Sequence, residues 1–145
     1  MVPGSSTRRR AVRAGIATLA AIVGACSSGN GSTAGTPPAD RPSSPAKVQI
    51  VRPTNGEVIH GSTVEVKVKL MNATIVPTTT TNIVPDRGHL HLYLDDQLES
   101  MNFTTSSTIG DVTPGLHTLK VEFVASDHLP FDPRVIAQVA FQAKA

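Results

Sequence analysis

Four stretches of this chain alternate apolar and polar residues with a period of two, and this pattern constrains the fold more than any other feature. Val64, Val66, Val68 and Leu70 alternate with Glu65, Lys67 and Lys69; Leu90, Leu92 and Leu94 alternate with His89, His91, Tyr93 and Asp95. Leu119, Val121 and Phe123 alternate with Lys120 and Glu122, and Val135, Ala137, Val139 and Phe141 with Gln138, Ala140 and Gln142. Successive side chains on a strand point to opposite faces, so each stretch reads as a half-buried strand. Val48 to Val51, Glu57 to His60 and Leu98 to Phe103 are shorter candidates. Turn residues separate the runs: Pro53-Thr54-Asn55-Gly56, Gly61-Ser62, Pro114-Gly115 and Pro130 to Pro133. No window carries a helical stripe. Seven short strands so spaced predict an all-β fold over residues 47–145, an immunoglobulin-like antiparallel β-sandwich, with a barrel as the alternative.

The N-terminal part is of another kind. Arg8, Arg9, Arg10 and Arg13 precede an apolar run, Ala14 to Ala25, that is too short for a bilayer-spanning helix. That layout is a signal peptide over residues 1–25. Its end, Val23-Gly24-Ala25-Cys26, resembles the bacterial lipobox, and the resemblance implies a lipid on Cys26 that holds the chain at the extracytoplasmic face of the cell membrane. The other reading is a plain secretory signal with a chance cysteine. Thr7-Arg8-Arg9 matches part of a twin-arginine signal but lacks its aromatic residue. Residues 26–46 are rich in Ser, Gly, Thr, Ala and Pro, too poor in large apolar side chains to offset the entropy of ordering, and read as a flexible tether.

Cys26 is the single cysteine, so the domain has no disulfide and no thiolate for catalysis or metal binding. Charge narrows the partners. The four signal arginines account for the basic balance: nine of the 13 Lys and Arg residues follow Cys26, against all 11 acidic ones, a formal charge of about −2. Nucleic acid is a poor partner for such a chain, whereas the membrane, through the lipid, and an extracytoplasmic protein remain. Asn30, Asn72 and Asn102 each open an Asn-x-Ser/Thr triplet, which carries no glycosylation meaning in a bacterial lipoprotein.

His89 and His91 sit two apart on one expected strand and share a face with Tyr93, opposite the leucines. Two imidazoles on one face can share a metal ion, with a further ligand from Asp86, His128 or Asp127 in neighbouring loops. Without a thiolate, this donor set suits Zn(II) or Cu(II) better than Cu(I). The competing reading leaves both rings merely on a polar sheet face, or capped by backbone groups. His117 falls in register with Leu119, Val121 and Phe123, so it is expected in the core, neutral and bonded to backbone at a sandwich corner. His60 precedes a turn and is expected to be exposed. Asp127, in Ser126-Asp127-His128-Leu129-Pro130-Phe131-Asp132-Pro133, is placed to accept hydrogen bonds from loop amides. Met71 to Gly88 is long for a tight connection and reads as a crossing segment or an irregular edge strand.

Three blocks taken in order, Gly88-His89-Leu90-His91-Leu92-Tyr93-Leu94-Asp95, Pro114-Gly115-Leu116-His117-Thr118-Leu119 and Asp127-His128, resemble a family of exported bacterial domains of unknown function. The resemblance covers most of Val48 to Phe141 and implies an immunoglobulin-like fold, but no activity. His-x-His followed by Pro-Gly-x-His is also similar to the metal motif of cupins. Here Gly88 abuts His89, the acidic residue falls at Asp95, and the second block is tighter than the cupin spacing. No Gly-x-Ser-x-Gly or Ser-x-x-Lys motif supports a nucleophile. The expected function is therefore a lipid-anchored binding or accessory module and not an enzyme, with a Cu or Zn site at His89, His91, Asp86 and His128. The alternative is a metal-free structural or protein-docking domain.

Overall fold

The structure, a computed structural model, describes residues 40–145. The expected signal peptide, Cys26 and the expected tether up to residue 39 lie outside the described residues. The described residues form nine strands: β1 (Lys47–Arg52), β2 (Glu57–His60), β3 (Val64–Met71), β4 (Thr74–Ile75), β5 (Arg87–Leu94), β6 (Gln97–Asn102), β7 (Ser106–Ile109), β8 (Gly115–Ala125) and β9 (Pro130–Lys144). A three-stranded sheet has the order β1-β3-β7. A larger one has the order β2-β9-β8-β5-β4, with β6 also pairing β5. The pairs are antiparallel except β2 with β9 and β4 with β5. This is the expected immunoglobulin-like sandwich.

The period of two decides which side chains meet between the sheets. Val64, Val66 and Val68 from β3 and Ile50 from β1 face Leu90 and Leu92 from β5, Leu119, Val121 and Phe123 from β8, and Phe131 and Phe141 from β9. Phe123 stacks on Phe131 with centroids 5.6 Å apart. Each fully buried side chain of this kind contributes about 1.5–3 kcal/mol, so the mostly aliphatic core holds the sandwich without a disulfide.

Two expected boundaries shift. Asp95 and Asp96, both at positive φ, make the two-residue turn between β5 and β6, since a primed turn matches the twist of the flanking strands. Residues 41–46, read from composition as the end of the tether, pack on the sandwich. Ala46 is buried, Asp132 N–H donates to the Pro42 carbonyl, and the Arg41 side chain is enclosed against the β8–β9 loop.

His117 is buried as its register demands and stacks on Phe141, 5.6 Å between centroids. Its expected neutrality does not hold. Nδ1 donates to Asp95 Oδ2 and Nε2 to the Thr113 carbonyl, both at 2.7 Å, and only an imidazolium donates from both nitrogens. The Asp95 hydrogen bond holds the His117 pKa above its usual value, against burial. A raised histidine pKa gives stability that is full below the unfolded value of about 6.5 and is lost as pH rises through the folded one. His117→Leu is therefore expected to cost about 2 kcal/mol at pH 6, the worth of hydrogen bonds from a charged donor. In urea unfolding, the gap to the parent should narrow at pH 9; a gap independent of pH would contradict the imidazolium.

Candidate metal centre

His89 and His91 project from the face of β5 that points away from the core, because Leu90 and Leu92 take the inner face. The outer face is nevertheless dry at this point: His89 is 1% and His91 5% exposed. The cover comes from segments distant in sequence. Phe103, after β6, lies with its ring centroid 5.1 Å from His89, and His128, from the β8–β9 loop, lies 4.4 Å from it, edge to face.

His128 completes a triad. One ligating nitrogen from each of His89, His91 and His128 falls within 4.8 Å of the others. His128 sits at φ 66°, in the left-handed region, within a turn closed by His128 N–H to Ala125 O and Ala125 N–H to Leu129 O. Left-handed backbone is uncommon outside glycine and concentrates at functional positions. Arg41 fixes this loop: its guanidinium donates to both Asp127 oxygens, at 2.6 and 2.9 Å, and to the carbonyls of Leu129 and Pro130. Against burial, Arg41 and the Leu129 amide hold the Asp127 carboxyl below its usual range. Thr80 N–H donates to Ser126 O, and Thr79 Oγ1 lies 3.0 Å from His128 Nε2, so the threonine-rich segment flanks the loop.

The hydrogen bonding leaves a lone pair of His89 unused. Arg134 donates to both oxygens of the fully buried Glu122, each at 2.6 Å. Tyr93 bridges Glu122 and His91 through long contacts, 3.5 Å to Glu122 Oε2 and 3.4 Å to His91 Nδ1. A carboxylate accepts only, so the tyrosine hydroxyl donates to it and its oxygen accepts from His91 Nδ1–H. His91 Nε2 then accepts from His89 Nε2–H at 3.1 Å, a bond that an ion ligated by His91 Nε2 would displace, and His89 Nδ1 is left as an acceptor. Among the described residues, His89 Nδ1 and His128 Nδ1 are the buried side-chain polar atoms with no partner. A buried acceptor without a donor is costly, and a metal ion would satisfy it.

Electrostatics agree with a ligand role. Burial first, then His91 and His128, push the His89 pKa down to about 4; burial, then His128, push His91 to about 4. Both rings are neutral at neutral pH, the form that binds metals. The chain His91–Tyr93–Glu122–Arg134 orients the ring from behind, as the outer partners of metal-bound histidines do.

The structure thus brings together His89, His91 and His128 from the expected set and leaves Asp86 out. Asp86 is exposed in the turn before β5, where its carbonyl accepts from Thr74 N–H. Asp127 is engaged by Arg41 and is no ligand. His117 belongs to the opposite, core side of its sheet, so the cupin arrangement, which needs His117 beside His89 and His91, is absent. His60 is exposed, as expected. Composition hid Arg41, which lies in the segment read as tether.

No protein-family model matches the chain, and no curated protein matches it. Similar solved structures include fibronectin(III)-like modules of CbhA from Clostridium thermocellum, at 16% identity and a TM-score of 0.45, covering 67% of this chain and 94% of that one. The endo-beta-1,4-mannanase from Thermotoga petrophila is similar at 14% identity and a TM-score of 0.44, over 68% of this chain and 20% of the mannanase. The PKD domain from human KIAA0319 is similar at 15% identity and a TM-score of 0.43, over 76% and 90%. The sandwich assignment stands on this chain's own strand order and burial.

Proposed function

We propose that the chain is a lipid-anchored, extracytoplasmic metal-binding module whose β-sandwich presents His89, His91 and His128 to a Cu or Zn ion. The carrying observation is the convergence of three imidazoles, with ligating atoms within 4.8 Å, around buried nitrogens that have no hydrogen-bond partner. Anchoring through Cys26 rests on the lipobox resemblance and is tested by incorporation of labelled palmitate, which Cys26→Ser should abolish.

Metal binding is tested on the full-length Cys26→Ser chain by calorimetric titration with Zn(II) and Cu(II) and by thermal unfolding. An ion at one hundred times its dissociation constant adds about 2.7 kcal/mol to the folded state, which for a domain of this size raises the melting temperature by about 10 °C or more. His89→Ala/His91→Ala and His128→Ala should each lose the rise. No heat and no shift with the parent chain would retire the metal reading. The reading left would be partner docking, which the exposed Leu98, Phe103 and Leu129 favour.

A further inference from the structure

Resting on that metal reading, we propose that the site is built for Cu(I), with the Met101 thioether as its fourth ligand. The first observation is register. Directly opposed residues of antiparallel strands share a face, with Cβ atoms about 4.5–5.5 Å apart. His91 is opposed by Met101 on β6 and by Glu122 on β8, and Glu122 by Ile136 on β9, so Met101, His91, Glu122 and Ile136 form one row across the outer face. A bulge decides this. Leu92 pairs Ser100 whereas Tyr93 pairs Leu98, so Glu99 is an extra residue in β6; were Glu99 paired with Leu92 in regular register, Ser100 would oppose His91 and Met101 would oppose Leu90 on the core face. Met101 is 47% exposed and directly opposes His91, which is 5% exposed, so its flexible thioether is free to turn toward an ion held there.

The second observation is charge. The triad holds no carboxylate: Asp86 lies outside it, and Glu122, the one buried acid among the described residues, is already paired with Arg134. Three neutral imidazoles and a neutral thioether leave a bound ion its full charge in a dry setting. The cost of burying charge grows as its square, so a monovalent ion is disfavoured far less than a divalent one. Thioether softness selects in the same direction, toward Cu(I) and away from hard cations.

The test uses the full-length Cys26→Ser chain, which has no thiol to capture copper. Under anaerobic, reducing conditions Cu(I) is partitioned between the protein and a chromophoric chelator; Zn(II) is titrated in parallel, and X-ray absorption reports the copper ligands. Met101→Leu keeps the volume and should leave the melting temperature of the metal-free protein unchanged. The expected result is one Cu(I) per chain, with a sulfur scatterer that Met101→Leu removes. Cu(I) affinity should fall about ten-fold or more, and Zn(II) affinity should stay within about two-fold. Cu(I) binding that Met101→Leu leaves intact, or Zn(II) binding without Cu(I), overturns the thioether assignment while the metal reading survives. Absence of any metal binding by the parent overturns both.

Discussion

Gly88→Ala is expected to destabilise the domain by about 3 kcal/mol or more, lowering the melting temperature by about 10 °C or more. A Cβ at this position would lie 1.9 Å from the Val124 carbonyl oxygen and 2.9 Å from its carbon, with Phe123 Cζ at 3.1 Å. The two nearest of these atoms are backbone, so no rotamer change relieves the clash. β5 and β8 would have to part where Gly88 faces Ala125, next to His89, and the Gly88 carbonyl that accepts from Val76 N–H would move with them. Glycine serves here for close approach of two chains. Gly110→Ala is the control: nothing lies within 4 Å of its Cβ and the residue is exposed, so the change should stay within about 0.5 kcal/mol. Equal unfolding midpoints for the two variants in urea would show that the strands tolerate a side chain at Gly88. Because the clash adjoins the triad, Gly88→Ala should also weaken metal binding in whatever fraction folds.

How far the sequence reveals this molecule depends on whether a feature is local. β3, β5, β8 and β9 are legible because burial of alternate residues stamps a period of two on them. β7 is not: Ser106, Ser107 and Thr108 carry no apolar alternation, and the strand exists through its pairing with β3, burying only Ile109. β4, two residues long, pairs β5 at Arg87 and Gly88 and leaves no pattern. At the site, the common face of His89 and His91 follows from their spacing. Their burial does not, since it needs Phe103 and His128 brought from other parts of the chain. Asp86 was favoured by nearness in sequence, yet chain neighbours two or three residues away in a turn need not share a site. Met101 was hidden by the bulge at Glu99, because a single inserted residue reverses which face every later side chain takes. Arg41 was hidden by composition, since one arginine among prolines and serines carries no sign of its buried partner.

The buried ion pair behind the triad should respond unequally to loss of its two members. Arg134→Ala is expected to cost about 3–5 kcal/mol, because it leaves the carboxylate of Glu122, 1% exposed, without a counter-charge. Glu122→Ala should cost less, about 2 kcal/mol, since the Arg134 side chain is 21% exposed and can turn its guanidinium to water. The double replacement Glu122→Leu/Arg134→Met removes both charges and keeps the volume, and should return the stability to near that of the parent, since desolvation offsets most of what a buried pair gains. Metal binding separates the pair's two roles. Tyr93 would lose the acceptor that directs its hydroxyl, and His91 Nδ1 the fixed partner that aims Nε2 at the ion. Stability restored in the double variant, together with metal affinity still reduced about ten-fold or more, would assign Glu122 to orienting the ligand and not to holding the fold. Full recovery of both would mean that Tyr93 and His91 keep their geometry without the carboxylate.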